Sequence, residues 1–209
     1  MAGKRTSAKN DTTTELKIKN AARVVFHQKG FAATRTRDIA EAAGINLALL
    51  NYYFRSKKKL FDLIMLESLQ QFTLSVSDVF NDEKTTFEHK LQVLCRRYID
   101  MLTEHPDIPL FILSELRTNP NELISRIHIK ENLLKSHFIK QFSEQVKSGK
   151  ISAIAPLQFM MNLIGLIVFP FVASPIVKSI GDLSQEEFVK LMQERKALIP
   201  KWLNAMLEV

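Results

Sequence analysis

A chain of 209 residues with six glycines, one cysteine and a formal charge of +7 can bury one substantial core, or a small domain beside a medium one. Its lone cysteine, Cys95, excludes an intramolecular disulfide and hence a secreted disulfide scaffold, while ordinary apolar content excludes global disorder. Scarce glycine and the lack of long β-branched alternation predict an all-α chain.

Residues 1–14 are polar and basic without periodicity and predict a disordered arm; with no apolar core behind the charges they do not form a signal peptide, which points to the cytoplasm. From Glu15 to Lys29 an amphipathic helix is expected, with Ile18, Ala21, Ala22, Val25 and Phe26 as its stripe, Gly30 as its stop and Phe31 as a plug for a small core. Arg23 lies off the stripe, where it could reach a phosphate or stay in solvent. Residues 34–54, TRTRDIAEAAGINLALLNYYF, then read as two short helices around a tight turn. Ile39, Ala40 and Ala43 face inward, Gly44 stands where the backbone needs positive φ, and Asn46 can cap a second helix whose inner face is Leu47, Leu50 and Phe54. An αα-hairpin with no further role would show the same spacing. Charge separates the two readings: residues 1–60 carry 13 Lys and Arg against four Asp and Glu, an excess of nine, whereas the other 149 residues carry 16 against 18. That asymmetry suits a head that meets a polyanion, with a short helix offering Asn and Tyr to a major groove.

Ser56 is a plausible cap for a long helix through Leu60, Phe61, Ile64, Leu69, Phe72 and Val76 to Phe80. Lys57 would stand in its first turn, where a cation faces the helix dipole unfavourably unless an anion is near; a DNA phosphate would serve. Phe87, Leu91, Leu94, Tyr98 and Leu102 mark a helix ending before Pro106, and residues 108–116 form an apolar run closed by a turn signal at Thr118, Asn119, Pro120 and Asn121. Leu123, Ile127, Leu134, Phe138, Phe142 and Val146 predict one long helix stopped near Gly149. No charge lies between Lys150 and Lys178, yet prolines and polar residues leave only about Phe159 to Phe169 uninterrupted, short of the ~20 residues a membrane span needs. A helix apolar all round must be covered on every side, which points to a second chain. Ser184 and Glu187 offer a capping box for the last helix, carrying Phe188, Leu191, Met192, Leu198, Ile199, Trp202, Leu203 and Met206, with Pro200 expected to kink or divide it.

No active site is visible. The histidines at 27, 89, 105, 128 and 137 show no metal-ligand spacing, and there is no phosphate loop, nucleophile elbow or activated cysteine setting, so no enzyme, no metal and no cofactor are expected.

Residues 15–61 resemble the head of the TetR family of bacterial transcriptional regulators. The signature is Gly30-Phe31, Thr34, Thr36, Arg37-Asp38-Ile39-Ala40, Ala42-Ala43-Gly44-Ile45, Leu50, Tyr53-Phe54, Ser56-Lys57 and Leu60. The resemblance implies a three-helix helix-turn-helix head joined by a long helix to a larger helical ligand-binding and dimerisation domain, with residues 15–60 as head and 61–209 as regulatory domain. It implies a homodimer on a palindromic operator, most often a repressor, released when a small molecule binds. With the resemblance, the expected DNA-contacting set is Thr36, Arg37, Leu47, Asn51, Tyr52, Tyr53 and Lys57. The recognition helix departs from the commonest pattern at Leu49 and Asn51, where Thr and Tyr are usual, so phosphate contacts do not carry over there; Asn51 either reads a base edge or replaces a phosphate bond.

Dimerisation is expected through a four-helix arrangement of the segments at Phe159–Phe169 and Phe188–Trp202 from each chain. An apolar effector pocket is expected between the helices carrying Leu91–Leu102, Leu123–Phe142 and Phe159–Phe169, with Tyr98, His137 and Asn162 as polar lining. The competing reading from another class is a helical partner-binding or structural protein without sequence-specific DNA binding.

Overall fold

The computed structural model describes residues 3–118, 120–127 and 135–208, and the regular structure among them is all α-helical. It divides into two compact units, Met1–Ser68 and Leu69–Val209. The first holds α1 (Gly3–Ala33), α2 (Thr36–Ala42), α3 (Leu47–Tyr53) and the opening turns of α4 (Lys57–Asn81). Helical backbone begins at Gly3, upstream of Glu15, so the arm expected to be disordered continues helically into α1. The physical reason is that lengthening a helix whose apolar stripe is already docked costs only propagation, without a new nucleus.

Gly30, at φ 71° and ψ 170°, breaks the helical run where the sequence places the stop. Below it Ile18, Ala22, Phe26, Ile39, Leu50, Leu60 and Ile64 are buried as one small core. Phe26 meets Phe61 edge-on at 5.1 Å and Phe31 lies 4.8 Å from Phe61, so Phe31 closes the core as expected. Because Leu60, Phe61 and Ile64 belong to this core, the first unit extends along α4 to Ser68, past the boundary expected at residue 60.

The second unit contains the rest of α4 with α5 (Phe87–Glu104), α6 (Ile108–Thr118), α7 (Pro120–Ile127), α8 (His137–Lys147), α9 (Pro156–Val172), α10 (Ser174–Gly181) and α11 (Gln185–Leu207). Pro120, expected in a turn, opens α7, where a missing N–H costs nothing. The single helix expected from Leu123 to Val146 is instead at least two. Ser136 has extended backbone and its buried hydroxyl accepts from Ile139 N, which starts α8 afresh. Asn119, His128 and Leu134 lie outside the described residues.

The core of this unit is a cluster of phenylalanines. Phe138 stacks on Phe87 at 4.8 Å and on Phe80 at 5.2 Å, and Phe142 lies 4.8 Å from Phe159. Long α5 packs chiefly on α11, burying Leu91, Cys95, Ile99 and Leu102 against an α11 face that includes Met192, Ile199 and Leu203. The capping box at Ser184 forms both ways: its hydroxyl accepts from Glu187 N and Glu187 accepts from Ser184 N. Pro200 sits within α11 without dividing it. Among the described residues no single helix is long and apolar enough to cross a membrane; α9 and α10 pass only as a pair bent by 70°.

Candidate nucleic-acid interface

The turn between α2 and α3 follows from three residues. Gly44 takes φ 64°, its N–H reaches Glu41 O, and Ile45 N reaches Ala40 O, which together satisfy the carbonyls left open at the end of α2. Asn46 then caps α3, accepting from Leu49 N at 2.8 Å. At the start of α2 the Asp38 carboxylate accepts from Arg35 N at 2.8 Å and pairs with Lys29 at 3.3 Å. The Arg35 N–H, together with Lys29, holds the Asp38 carboxyl below its ordinary value.

These caps orient α3. Leu50 and Phe54 are buried against the core and Leu47 is half-buried, whereas Ala48, Leu49, Asn51 and Tyr52 are exposed. Tyr52, 75 % exposed, stands edge-on to Tyr53 with ring centroids 5.3 Å apart. On α2, Arg37 is exposed and Thr36 half-buried. The outer surface of α3 therefore carries an amide, a phenol and apolar groups without a fixed charge, and the same unit exposes cations at Arg37, Arg55 and Lys59.

Lys57 has acceptors within the protein itself. Its Nζ donates to Phe31 O at 2.7 Å and Thr34 O at 2.8 Å and lies 4.3 Å from the Phe31 ring centroid. Two carbonyls and a π face thus supply the negative potential that its place at a helix N-terminus demands, and the third ammonium proton is left for another acceptor. Arg23 and Lys19 also find protein partners: both pair with Glu67, at 2.6 and 2.8 Å. Arg23 is thereby held between α1 and α4, a use its position off the apolar stripe did not reveal.

In the second unit the three expected pocket residues stand on three helices, α5, α8 and α9. Tyr98 is half-buried with its ring 4.7 Å from Phe72, and burial pushes its hydroxyl up to about 12. His137 is the first residue of α8. Asn162 borders an open hollow of about 300 Å³ with Met161, Gly165, Leu166 and Met206. At the junction of α5, α8 and α9 the rings of Phe87, Phe138, Phe142 and Phe159 pack together. A larger hollow of about 580 Å³ has a mixed lining, with Glu88, Gln141, Gln145, Lys150 and Asn204 beside Phe87, Ile151 and Leu207. Behind Gln141 the fully buried Lys90 donates to Gln141 Oε1 and Thr85 O, and desolvation lowers its pKa.

A small basic unit with a capped helix-turn-helix, exposing a neutral helix face and cations, defines a DNA-binding protein of the helix-turn-helix class. Residues 18–64 match the model of the bacterial regulatory proteins of the tetR family. The chain belongs to the TetR family of transcriptional regulators. It is similar over most of its length to the "Probable HTH-type transcriptional regulator YttP" of Bacillus subtilis, with 26% identity over 203 residues, 93% of this chain and 94% of that one. Over 82 residues it is 34% identical to the HTH-type transcriptional repressor BdcR of Escherichia coli, a stretch covering 38% of this chain and 42% of that protein. The fold is shared with the transcriptional regulator FadR of Bacillus subtilis, solved in complex with stearoyl-CoA: TM-score 0.60, 20% identity, 92% of this chain and 99% of that one. Family membership decides against the partner-binding reading and establishes DNA binding in transcription regulation.

Proposed function

We propose that the protein is a homodimeric repressor that binds a two-fold symmetric operator through its first unit and leaves it when a small, largely apolar molecule binds the second. The observation that carries this reading is the exposed neutral face of α3 on a segment with nine excess positive charges. Groups on a neutral helix face discriminate base edges, and the surrounding charge supplies attraction that falls with salt, by about 0.9 in log–log slope per phosphate neutralised on B-DNA. Within it Leu47, Asn51 and Tyr52 face the bases, while Thr36, Arg37, Tyr53 and Lys57 position the helix on the backbone. BdcR, called a repressor, supports the sign of regulation.

The dimer reading rests on apolar side chains left open on α9 and α11: Leu157, Met161, Ile164, Phe169, Trp202 and Met206. The effector reading rests on the aromatic interior of the second unit, where a slender apolar molecule would take the place of phenylalanine rings; FadR of Bacillus subtilis holds stearoyl-CoA. Tyr98, a half-buried phenol beside the Phe72 ring, supplies one polar group of the effector site's lining, and His137 and Asn162 are the others.

The test is selection from random duplexes with the purified protein at low salt, followed by affinities of variants on the enriched site. A two-fold symmetric sequence is expected, and Asn51→Ala should cost ~1–3 kcal/mol more on that site than on random duplex. Failure of the folded protein to enrich any symmetric sequence would overturn the operator reading. An equal loss on both duplexes would make Asn51 a positioning residue.

A further inference from the structure

Pro170 lies inside α9, and a proline there leaves the carbonyl four residues earlier, Leu166 O, without its ordinary helical donor while the ring crowds it outward. In the structure that carbonyl has a donor from another helix. Arg195 of α11 reaches it through one Nη at 2.7 Å, and the same guanidinium lies 5.0 Å from the Trp202 ring centroid. Arg195 is half-buried, and its Nε–H is buried without an acceptor. Burying so much of a guanidinium is costly unless its bonds compensate. The bond to Leu166 O is charge-assisted and meets a carbonyl that no backbone amide of the regular ladder can serve.

We propose that Arg195 substitutes for the amide missing at Pro170 and acts as a positioning residue for assembly with a second copy of the chain. Its bond pins α11 to the middle of α9, and its stacking fixes Trp202 on the side of α11 that bears Leu198, Trp202 and Met206. Trp202 and Met206 with Met161, Ile164 and Phe169 of α9 belong to the surface proposed above for the dimer, and the inference rests on that reading. Leu166 and Met206 also line one hollow, so a change in how α11 is held on α9 would alter the surface offered to the partner.

The inference makes Arg195 and Pro170 energetically coupled, which packing alone does not require. Arg195→Met keeps length and apolar contact but removes the donor; Pro170→Ala returns an N–H to the helix ladder. For the full chain we expect Arg195→Met to weaken the dimer about tenfold in sedimentation equilibrium, the scale of one charge-assisted hydrogen bond. In the Pro170→Ala background the same substitution should change it by less than threefold. Arg195→Lys, which keeps a donor, should recover part of the loss. An equal loss in both backgrounds would overturn the inference and leave Arg195 as a packing residue for Trp202. The dimer reading fails separately, if the unsubstituted protein sediments as a monomer at all concentrations. In that event the coupling is read from thermal unfolding midpoints of the same four proteins, and its absence there would overturn the bond's role as well.

Discussion

Lys57 shows how one side chain answers to two demands. At the first position of α4 it faces the positive end of a helix, and the head meets this with the carbonyls of Phe31 and Thr34 and the Phe31 ring. Those bonds fasten the end of α1 and the link to α2 to the start of α4. Thr34 contributes from the same turn, its buried hydroxyl donating to Gly30 O at 2.7 Å. Removing the ammonium would leave two partly buried carbonyls unpaired, so Lys57→Met is expected to lower the stability of the head by about 1–3 kcal/mol. Circular dichroism melting in the absence of DNA measures this directly. Its effect on DNA should be the same on operator and on random duplex, since the group reads no base. A loss confined to operator would show that Lys57 does more than hold the head and meet phosphate. Cys95 is the opposite case, a residue whose surroundings silence it: burial in α5 pushes its thiol up to about 12.

Helix ends carry much of the local specification in the chain. α2, α3, α5, α8 and α11 each begin with a side chain taking a first-turn amide or with a carboxylate closing back on the cap, at Asp38, Asn46, Thr86, Ser136 and Ser184. Asp38 and Glu187 are both held below their ordinary values, chiefly by the N–H groups of Arg35 and Ser184. A carboxylate with a depressed folded pKa stabilises the fold above its unfolded value and loses that contribution as pH falls through the lower, folded one. For Asp38 the ordinary value is 3.8, so its contribution is complete above that pH and disappears on further acidification. Asp38→Asn should therefore lower thermal stability at pH 6 and converge with the unsubstituted protein in strong acid. Melting curves across that range check it, and a constant offset at every pH would refute the assignment. Elements also show where periodicity misleads. The apolar spacing from Leu123 to Val146 is compatible with one helix, but Ser136 provides a cap that starts another.

At the scale of the molecule, the balance of charge and apolar surface separates two tasks. The first unit holds the positive excess, and the second holds the long uncharged stretch between Lys150 and Lys178. Part of that stretch is buried in its own unit, at Phe159, Leu163, Ile167 and Phe171, and part remains open, at Leu157, Met161, Ile164 and Phe169. A charge placed among the open residues should disfavour association while leaving the internal core untouched. Ile164→Glu is expected to give a folded monomer of about 24.0 kDa by sedimentation, with its helicity retained. Its operator affinity should fall steeply, because two half-sites would no longer be engaged together. An unchanged sedimentation coefficient would move the proposed interface away from α9.

How much could be read before any coordinates followed the range of the interactions concerned. The turn at Gly44, the caps at Asn46 and Ser184, the buried face of Leu50 and Phe54 and the stop at Gly30 are set within a few residues of chain, by φ/ψ limits and hydrogen bonds to the nearest amides. Composition along the chain was equally legible, because charge and hydropathy need no partner to be counted. Pairings between distant residues were not. Glu67 draws Arg23 and Lys19 inward, Lys57 finds the carbonyls of Phe31 and Thr34, and Arg195 finds the carbonyl that Pro170 leaves open, across 29 residues. The same holds for the interior of the second unit: aromatic content indicated an apolar core, but packing decided which phenylalanine rings meet there. Side chains choose such partners only when helices have docked, since long chains with many rotamers reach whichever acceptor burial leaves unmet.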